Sequence, residues 1–182
     1  MHDDDHLIES GLGTELVFDG AMLKVRRDRV RLPDGGDAIR EYVVHPGAVL
    51  IVPILPDGRL VLERQFRYPV GLVMLEFPAG KIDPNELPLA TAKRELREEV
   101  GYVADTWQPI GIVHPEIGYS TEAIAMFVAT GLTHVGAQLD EGEFLDVVEM
   151  SEVELLAAFD AGKVTDSKTI AGLFAWQRHR LR

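Results

Sequence analysis

The sequence predicts an α/β protein, a mixed sheet sandwiched by helices and preceded by a small N-terminal antiparallel β-sheet. Three observations carry that expectation. Strand-like runs fill most of the chain up to Phe77. One amphipathic, strongly acidic helix follows at about residues 89–100, and two more helical stretches close the chain after a further group of strands.

Residues 1–11, MHDDDHLIESG, are polar and read as a frayed, solvated tail. Residues 15–18 and 22–32 read as strands. The second alternates apolar and charged side chains with period two, as a half-buried strand does. Asp19-Gly20 and Pro33-Asp34-Gly35-Gly36 supply turns. This gives an N-terminal β-sheet region, 1–44, ahead of a main domain, 45–182. Residues 48–55 are almost continuously apolar, which suits a strand buried on both faces. Pro56-Asp57-Gly58 reads as a hairpin turn into a strand over 59–67, and 73–77 as a short strand feeding a Pro78-Ala79-Gly80 loop. After the acidic helix, 107–113, 123–130 and 144–150 read as strands. Ser151 and Glu154 form a capping box for a helix that Gly162 closes. Asp166 or Ser167 caps the last helix, with Ile170, Leu173, Phe174 and Trp176 as its apolar stripe.

Composition narrows the function. At 182 residues, 46% of them apolar, the chain is long enough for a substantial core and too apolar for wholesale disorder. No apolar run reaches the roughly 20 residues needed to span a bilayer, and the first residues lack the basic and apolar regions of a secretory signal. Without cysteine there is no disulfide, thiolate nucleophile or Cys-based zinc site, and a cytoplasmic location is the default. Thirty acidic against eighteen basic residues give a formal charge of −12, which disfavours a nucleic-acid-binding surface or a membrane partner. A polyanionic substrate would need metal ions or local arginines to reverse the field at its site.

The acidic helix is where such a reversal can occur. Leu89, Ala92, Leu96 and Val100 recur at helical spacing and form the buried ridge. Beside them Glu95 lies one turn from Glu99 and three residues from Glu98, so three carboxylates share one patch. The bland alternative is a solvated face paired with Lys93, Arg94 and Arg97. A hard divalent cation, which prefers oxygen ligands, would turn the repulsion among these carboxylates into attraction.

The stretch from Gly80 to Tyr102 resembles the signature of the Nudix hydrolase family. Gly80, Glu86, Arg94, Glu95, Leu96, Glu98, Glu99 and Gly101 match its fixed positions, with Tyr102 in place of the usual aliphatic residue. The resemblance implies a Nudix-type α/β/α sandwich that hydrolyses a nucleoside diphosphate linked to another moiety. It implies Mg²⁺, or Mn²⁺, held by Glu95, Glu99 and the Ala79 carbonyl, with Glu98 grouped among the catalytic residues. Arg94, a planar fork that keeps its charge, is expected to orient Glu86 or a box carboxylate rather than touch substrate.

Further stretches resemble the ADP-ribose pyrophosphatase branch: Arg64-Gln65-Phe66-Arg67-Tyr68-Pro69, then Leu75 to Asp83 including Lys81, and the N-terminal sheet. In that branch the sheet is exchanged within a homodimer whose two chains line the substrate pocket. The implied substrate-binding residues are Arg67, Lys81, Arg40 and Glu41, the last two reaching across from the partner, together with Glu116, Gly118 and Glu122 in the loop after the box. The acidic stretch Asp140-Glu141-Gly142-Glu143 would fold over the metals, Glu141 as general base and Glu143 as a further metal ligand. One departure concerns the sugar: Ile117-Gly118 stands where these proteins usually carry proline and glycine. Hydrolysis of ADP-ribose or a related nucleoside diphosphate sugar is the leading expectation. The alternatives are a Nudix hydrolase of a nucleoside triphosphate or GDP-sugar, and a non-catalytic nucleotide-binding module. Modules of the latter kind commonly lose box carboxylates, whereas all are present here.

Overall fold

A computed structural model describes residues 4–181. In chain order the elements are β1 (Ser10–Asp19), β2 (Lys24–Arg31), β3 (Asp37–Val44), β4 (Ala48–Pro53), β5 (Leu60–Arg67), β6 (Leu72–Glu76), β7 (Ala79–Lys81), α1 (Pro88–Glu98), β8 (Tyr102–Val113), β9 (Ile124–His134), β10 (Leu145–Met150), α2 (Glu152–Asp160) and α3 (Ser167–Arg180). They divide into two compact units. The first comprises the described residues up to Pro46 with Glu116–Glu122, and the second the remainder.

In the first unit β1, β2 and β3 form an antiparallel sheet in that order. Its cross-strand pairs are mostly polar: Arg27 meets Glu41 and Arg31 meets Asp37 as ion pairs, and the Tyr42 hydroxyl donates to Asp28 at 2.9 Å. The sheet begins earlier than expected. A 3-10 turn at Asp5–Leu7 is followed by strand from Ser10, so the frayed-tail reading fails for residues 4–11, while Met1–Asp3 lie outside the described residues. The reason is pairing: Ser10 and Gly11 face Arg31 and Val30 across the ladder. Val30 is the only buried residue among those described in this unit. The loop Glu116–Glu122 is tied to the end of β3, with Val43 N–H donating to the Tyr119 carbonyl at 2.8 Å and Thr121 N–H to the Val43 carbonyl at 3.0 Å.

The second unit is built on β4, in which all six residues are buried. It lies between β7 and β9 in a mixed sheet of order β7-β4-β9-β8, parallel to β9 and antiparallel to β7. Alternation divides its side chains between two cores. Ala48, Leu50 and Val52 pack with Leu60, Leu62, Phe77, Leu155, Leu173 and Trp176, while Val49 and Ile51 pack with Val61, Ala92, Leu96, Val100 and Phe127. Truncating a fully buried leucine such as Leu96 to alanine costs about 2–5 kcal/mol.

Pro56-Asp57-Gly58 makes the expected turn, with Gly58 N–H donating to the Leu55 carbonyl at 2.9 Å and Leu55 N–H to the Arg59 carbonyl at 2.8 Å, but the two arms then part. β5 joins a second antiparallel sheet, β10-β5-β6, and the pairing of the two arms stops, among the described residues, at the bridge Ile54–Leu60. Both strands are apolar enough to pack face to face, and Leu60 and Leu62 lie against Leu50 and Val52 instead of pairing edge to edge. The Pro78–Gly80 segment is likewise not all loop: Ala79–Lys81 pairs with Leu50, Val49 and Ala48 as β7. Helix capping follows the sequence. Ser151 Oγ accepts from Glu154 N–H while Glu154 accepts from Ser151 N–H, and Asp166 accepts from Thr169 N–H. Phe174 is exposed and leaves the stripe, whereas Leu173 and Trp176 are buried.

Candidate active site

The acidic helix starts with Pro88 in its first turn, where a missing N–H costs nothing, and buries Ala92 and Leu96 against β4. That docking turns Glu95 and Glu99 onto β7. Ala79 N–H donates to Glu99 Oε2 at 3.1 Å. A Cβ built on Gly80 would lie 1.8 Å from Glu95 Oε1, so the carboxylate occupies the space that any other residue would fill. Gly80 therefore stands in the signature because a helix carboxylate rests on its backbone.

The outward side of the same helix is closed by Arg94. Its guanidinium donates to Glu86 at 3.2 and 3.0 Å, to Glu95 at 2.8 Å, to Glu98 at 3.0 Å and to the Lys81 carbonyl at 3.3 Å. Thr91 Oγ1 adds a 2.8 Å bond to Glu86. The Arg94 guanidinium foremost, then Thr91, holds the Glu86 carboxyl down at about 2.

The inward side is different. Glu99 is buried and its carboxyl is pushed up to about 10, first by burial, then by the charges of Glu63, Glu95 and Glu143. Burial also raises Glu95, with Arg94 opposing the shift. Glu143 is half-buried and reached by Gln65 Nε2 at 3.4 Å, while Glu141 on the same loop is exposed. The approach to that loop is pinned to the helix end, with Gly136 N–H donating to the Gly101 carbonyl and Gln138 N–H to the Glu98 carbonyl at 2.9 Å. Gly101 has φ +75°, and a Cβ there would lie 2.5 Å from the Ala137 nitrogen, so the signature's second glycine lets the chain cross the helix terminus.

Arg67 on β5 forms a two-pronged pair with the fully buried Glu76 at 2.8 Å on both arms, and Lys168 at the start of α3 pairs with the same carboxylate and with Asp166. Sequence reasoning missed Glu63, Glu76 and Lys168. Period-two alternation from Val61 would have placed Glu63, Gln65 and Arg67 on one face, and Glu76 sits in the stretch quoted for its resemblance. Nothing in the sequence marks Lys168.

Ala79, Glu95, Glu98, Glu99, Glu143 and Arg67 thus belong to the second unit, as do exposed Lys81 and Glu141. Arg40, Glu41, Glu116, Gly118 and Glu122 belong to the first. There Arg40 pairs with Glu9, Glu41 accepts from Arg27 at 2.8 Å, and Glu122 lies 3.7 Å from His45, with Glu116 and Gly118 exposed.

Comparison with known proteins agrees with the geometry. The NUDIX domain family matches residues 44–171, and the nucleoside diphosphate sugar hydrolase N-terminal domain matches residues 12–43. The chain belongs to the Nudix hydrolase family, enzymes that generally use divalent metal ions. Within that family it stands with relatives of the ADP-ribose pyrophosphatase kind. It is 38% identical over 167 residues to an ADP-ribose pyrophosphatase of Mycobacterium tuberculosis, covering 90% of this chain and 81% of that protein. It is 34% identical over 165 residues to an ADP-ribose pyrophosphatase of Bacillus subtilis, covering 90% and 89%. A methanol dehydrogenase activator of Bacillus methanolicus is 37% identical over 164 residues, covering 89% of each. The crystal structure of an ADP compounds hydrolase superposes with a TM-score of 0.84 at 26% identity, covering 94% of each chain. Among the described residues no helix is long and apolar enough to cross a membrane.

Proposed function

We propose that this chain is a Mg²⁺-dependent pyrophosphatase that hydrolyses the diphosphate bond of ADP-ribose or a related nucleoside diphosphate sugar to a nucleoside monophosphate and a sugar phosphate. The observation that carries the reading is the inward set Glu95, Glu99 and Glu143, in which burial and the charges of Glu63, Glu95 and Glu143 push the Glu99 carboxyl up. These are hard oxygen donors on a packed helix and a pinned loop, which suits Mg²⁺. When bound, the cation offsets the charge of the diphosphate and lowers the pKa of attacking water. Glu95, Glu99, Glu143 and the Ala79 carbonyl would hold it. Glu141 takes the proton from the attacking water, with Glu98 beside the centre. Arg67, its fork fixed by Glu76, and Lys81 face the diphosphate.

The site is completed by a second copy. In the N-terminal sheet Leu12, Leu16, Val17, Phe18, Met22 and Leu23 are all exposed, more apolar surface than a soluble sheet leaves uncovered. Packing it on the partner would bring Arg40 and Glu41 to the partner's site, with Glu116, Gly118 and Glu122 holding the sugar. A product assay over ADP-ribose, other ADP-sugars, GDP-mannose and nucleoside triphosphates, with and without Mg²⁺, tests the substrate. Best turnover on a triphosphate would replace this reading with the alternative. Sedimentation at micromolar concentration tests assembly: an active monomer of 20.2 kDa would exclude the shared site.

A further inference from the structure

Two carboxylates sit directly opposite each other on neighbouring strands. Glu63 of β5 pairs in register with Glu76 of β6, and both are buried, at 0% and 1% exposure. Like charges in that arrangement repel at close range. Glu76 is compensated by Arg67 and Lys168. The same two cations act on Glu63 from further off, but neither of its carboxylate oxygens has a hydrogen-bond partner. A buried carboxylate left this way carries its full desolvation cost.

The direction of the side chain says what the cost is for. Residues 61, 63, 65 and 67 share one face of β5. Val61 packs into the core beneath Ala92, Leu96 and Val100 of the acidic helix. Gln65 reaches Glu143 of the acidic loop. Glu63 lies between them on the same face, so its orphaned oxygens point into the space bounded by the helix and the loop. Among charged groups it acts most strongly on Glu99.

We propose that Glu63 is a further carboxylate of the divalent-cation centre, supplying an oxygen for a cation shared with Glu99 and Glu143. The inference rests on the metal-dependent reading above. It explains why β5 keeps an unpaired acid in its core where an apolar residue would pack at no electrostatic cost.

The test is Mn²⁺ binding to the full-length protein without substrate, read by the electron paramagnetic resonance of free Mn²⁺, for wild type, Glu63→Gln, Glu63→Met and Glu99→Gln. Glu63→Gln is expected to bind Mn²⁺ about 10- to 100-fold more weakly, the usual effect of losing a group that supports a metal, or to hold fewer ions per chain. Thermal unfolding supplies an independent readout. Without metal, Glu63→Met should melt above wild type, because a buried polar group without hydrogen bonds has been replaced by an apolar one. With Mn²⁺ both Glu63 variants should gain less than wild type does. Met suits the buried position by volume, so it reports even if Gln disturbs folding. Wild-type Mn²⁺ affinity and stoichiometry in both Glu63 variants, alongside loss in Glu99→Gln, would overturn the role of Glu63 and leave the metal centre standing. Absence of binding in wild type itself would overturn both.

Discussion

The two sides of the acidic helix carry the same residue type under opposite conditions. Outward, Glu86 and Glu98 share Arg94, and every carboxylate has a cationic donor within 3.2 Å. Inward, Glu99 is buried with one backbone N–H at 3.1 Å, facing Glu63, Glu95 and Glu143. The outward pair is complete in its hydrogen bonding, although one guanidinium cannot cancel the charge of both carboxylates. The inward set is incomplete and would gain most from a bound cation. Glu95 spans the two, bonded to Arg94 yet lying on Gly80. A single motif thus divides according to which carboxylates the chain itself pairs with a cation.

The sharpest tests fall on the incomplete side. Losing a general base typically costs roughly 10²- to 10⁴-fold in rate while leaving binding largely intact. Glu141→Gln is expected to lower kcat in that range with little change in metal affinity, because its side chain is exposed and is not among the charges that act on Glu99 and Glu95. Glu143→Gln should weaken metal binding as well, since Glu143 acts on both Glu99 and Glu95. Mg²⁺ titrations of each variant check the division, and a metal defect confined to Glu141→Gln would exchange the roles. Glu99→Gln keeps size and removes the central charge, so turnover should fall by on the order of 10²-fold with the fold intact. Near-normal activity at saturating Mg²⁺ would break the comparison outright.

Gly80→Ala probes the same side through the backbone. The added methyl meets the Glu95 carboxylate, which must swing off β7. A loss of about 10-fold in metal affinity, at the low end for groups that orient ligands, is expected with α1 still helical by circular dichroism. Unchanged metal binding would show that the position of Glu95 on Gly80 is immaterial.

How much of this was legible depended on whether the determinant was local. The helix, its buried stripe apart from exposed Leu89, the pairing of Arg94 with Glu86 and the N-caps of both C-terminal helices follow from spacing within a dozen residues, and the family follows from fixed positions in one stretch. Glu63 and Glu76 escaped because their significance is a pairing register between strands, fixed by how β6 folds back. Lys168 escaped because its partner is 92 residues away in sequence. The turn at Pro56-Asp57-Gly58 was legible, while the parting of its arms after one bridge was not: turn residues specify a reversal, and the buried faces of both arms decide between pairing and packing.

The smallest expected effect tests the complete side. Glu86 titrates at about 2 because Arg94 and Thr91 favour its charged form. A carboxyl lowered on folding adds stability that is present above its unfolded pKa, near 4.5, and lost as pH falls towards the folded value. Glu86→Gln should therefore be modestly less stable than wild type at neutral pH, with the gap closing between about pH 4.5 and pH 2. Arg94 keeps Glu95 and Glu98 in the variant, so Mg²⁺ affinity at neutral pH should stay near wild type. Melting curves across that pH window and a single metal titration suffice. If Glu86→Gln lost cation binding as fully as Glu99→Gln, the outward carboxylates would serve the metal too, and pairing with Arg94 would no longer tell the two sides apart.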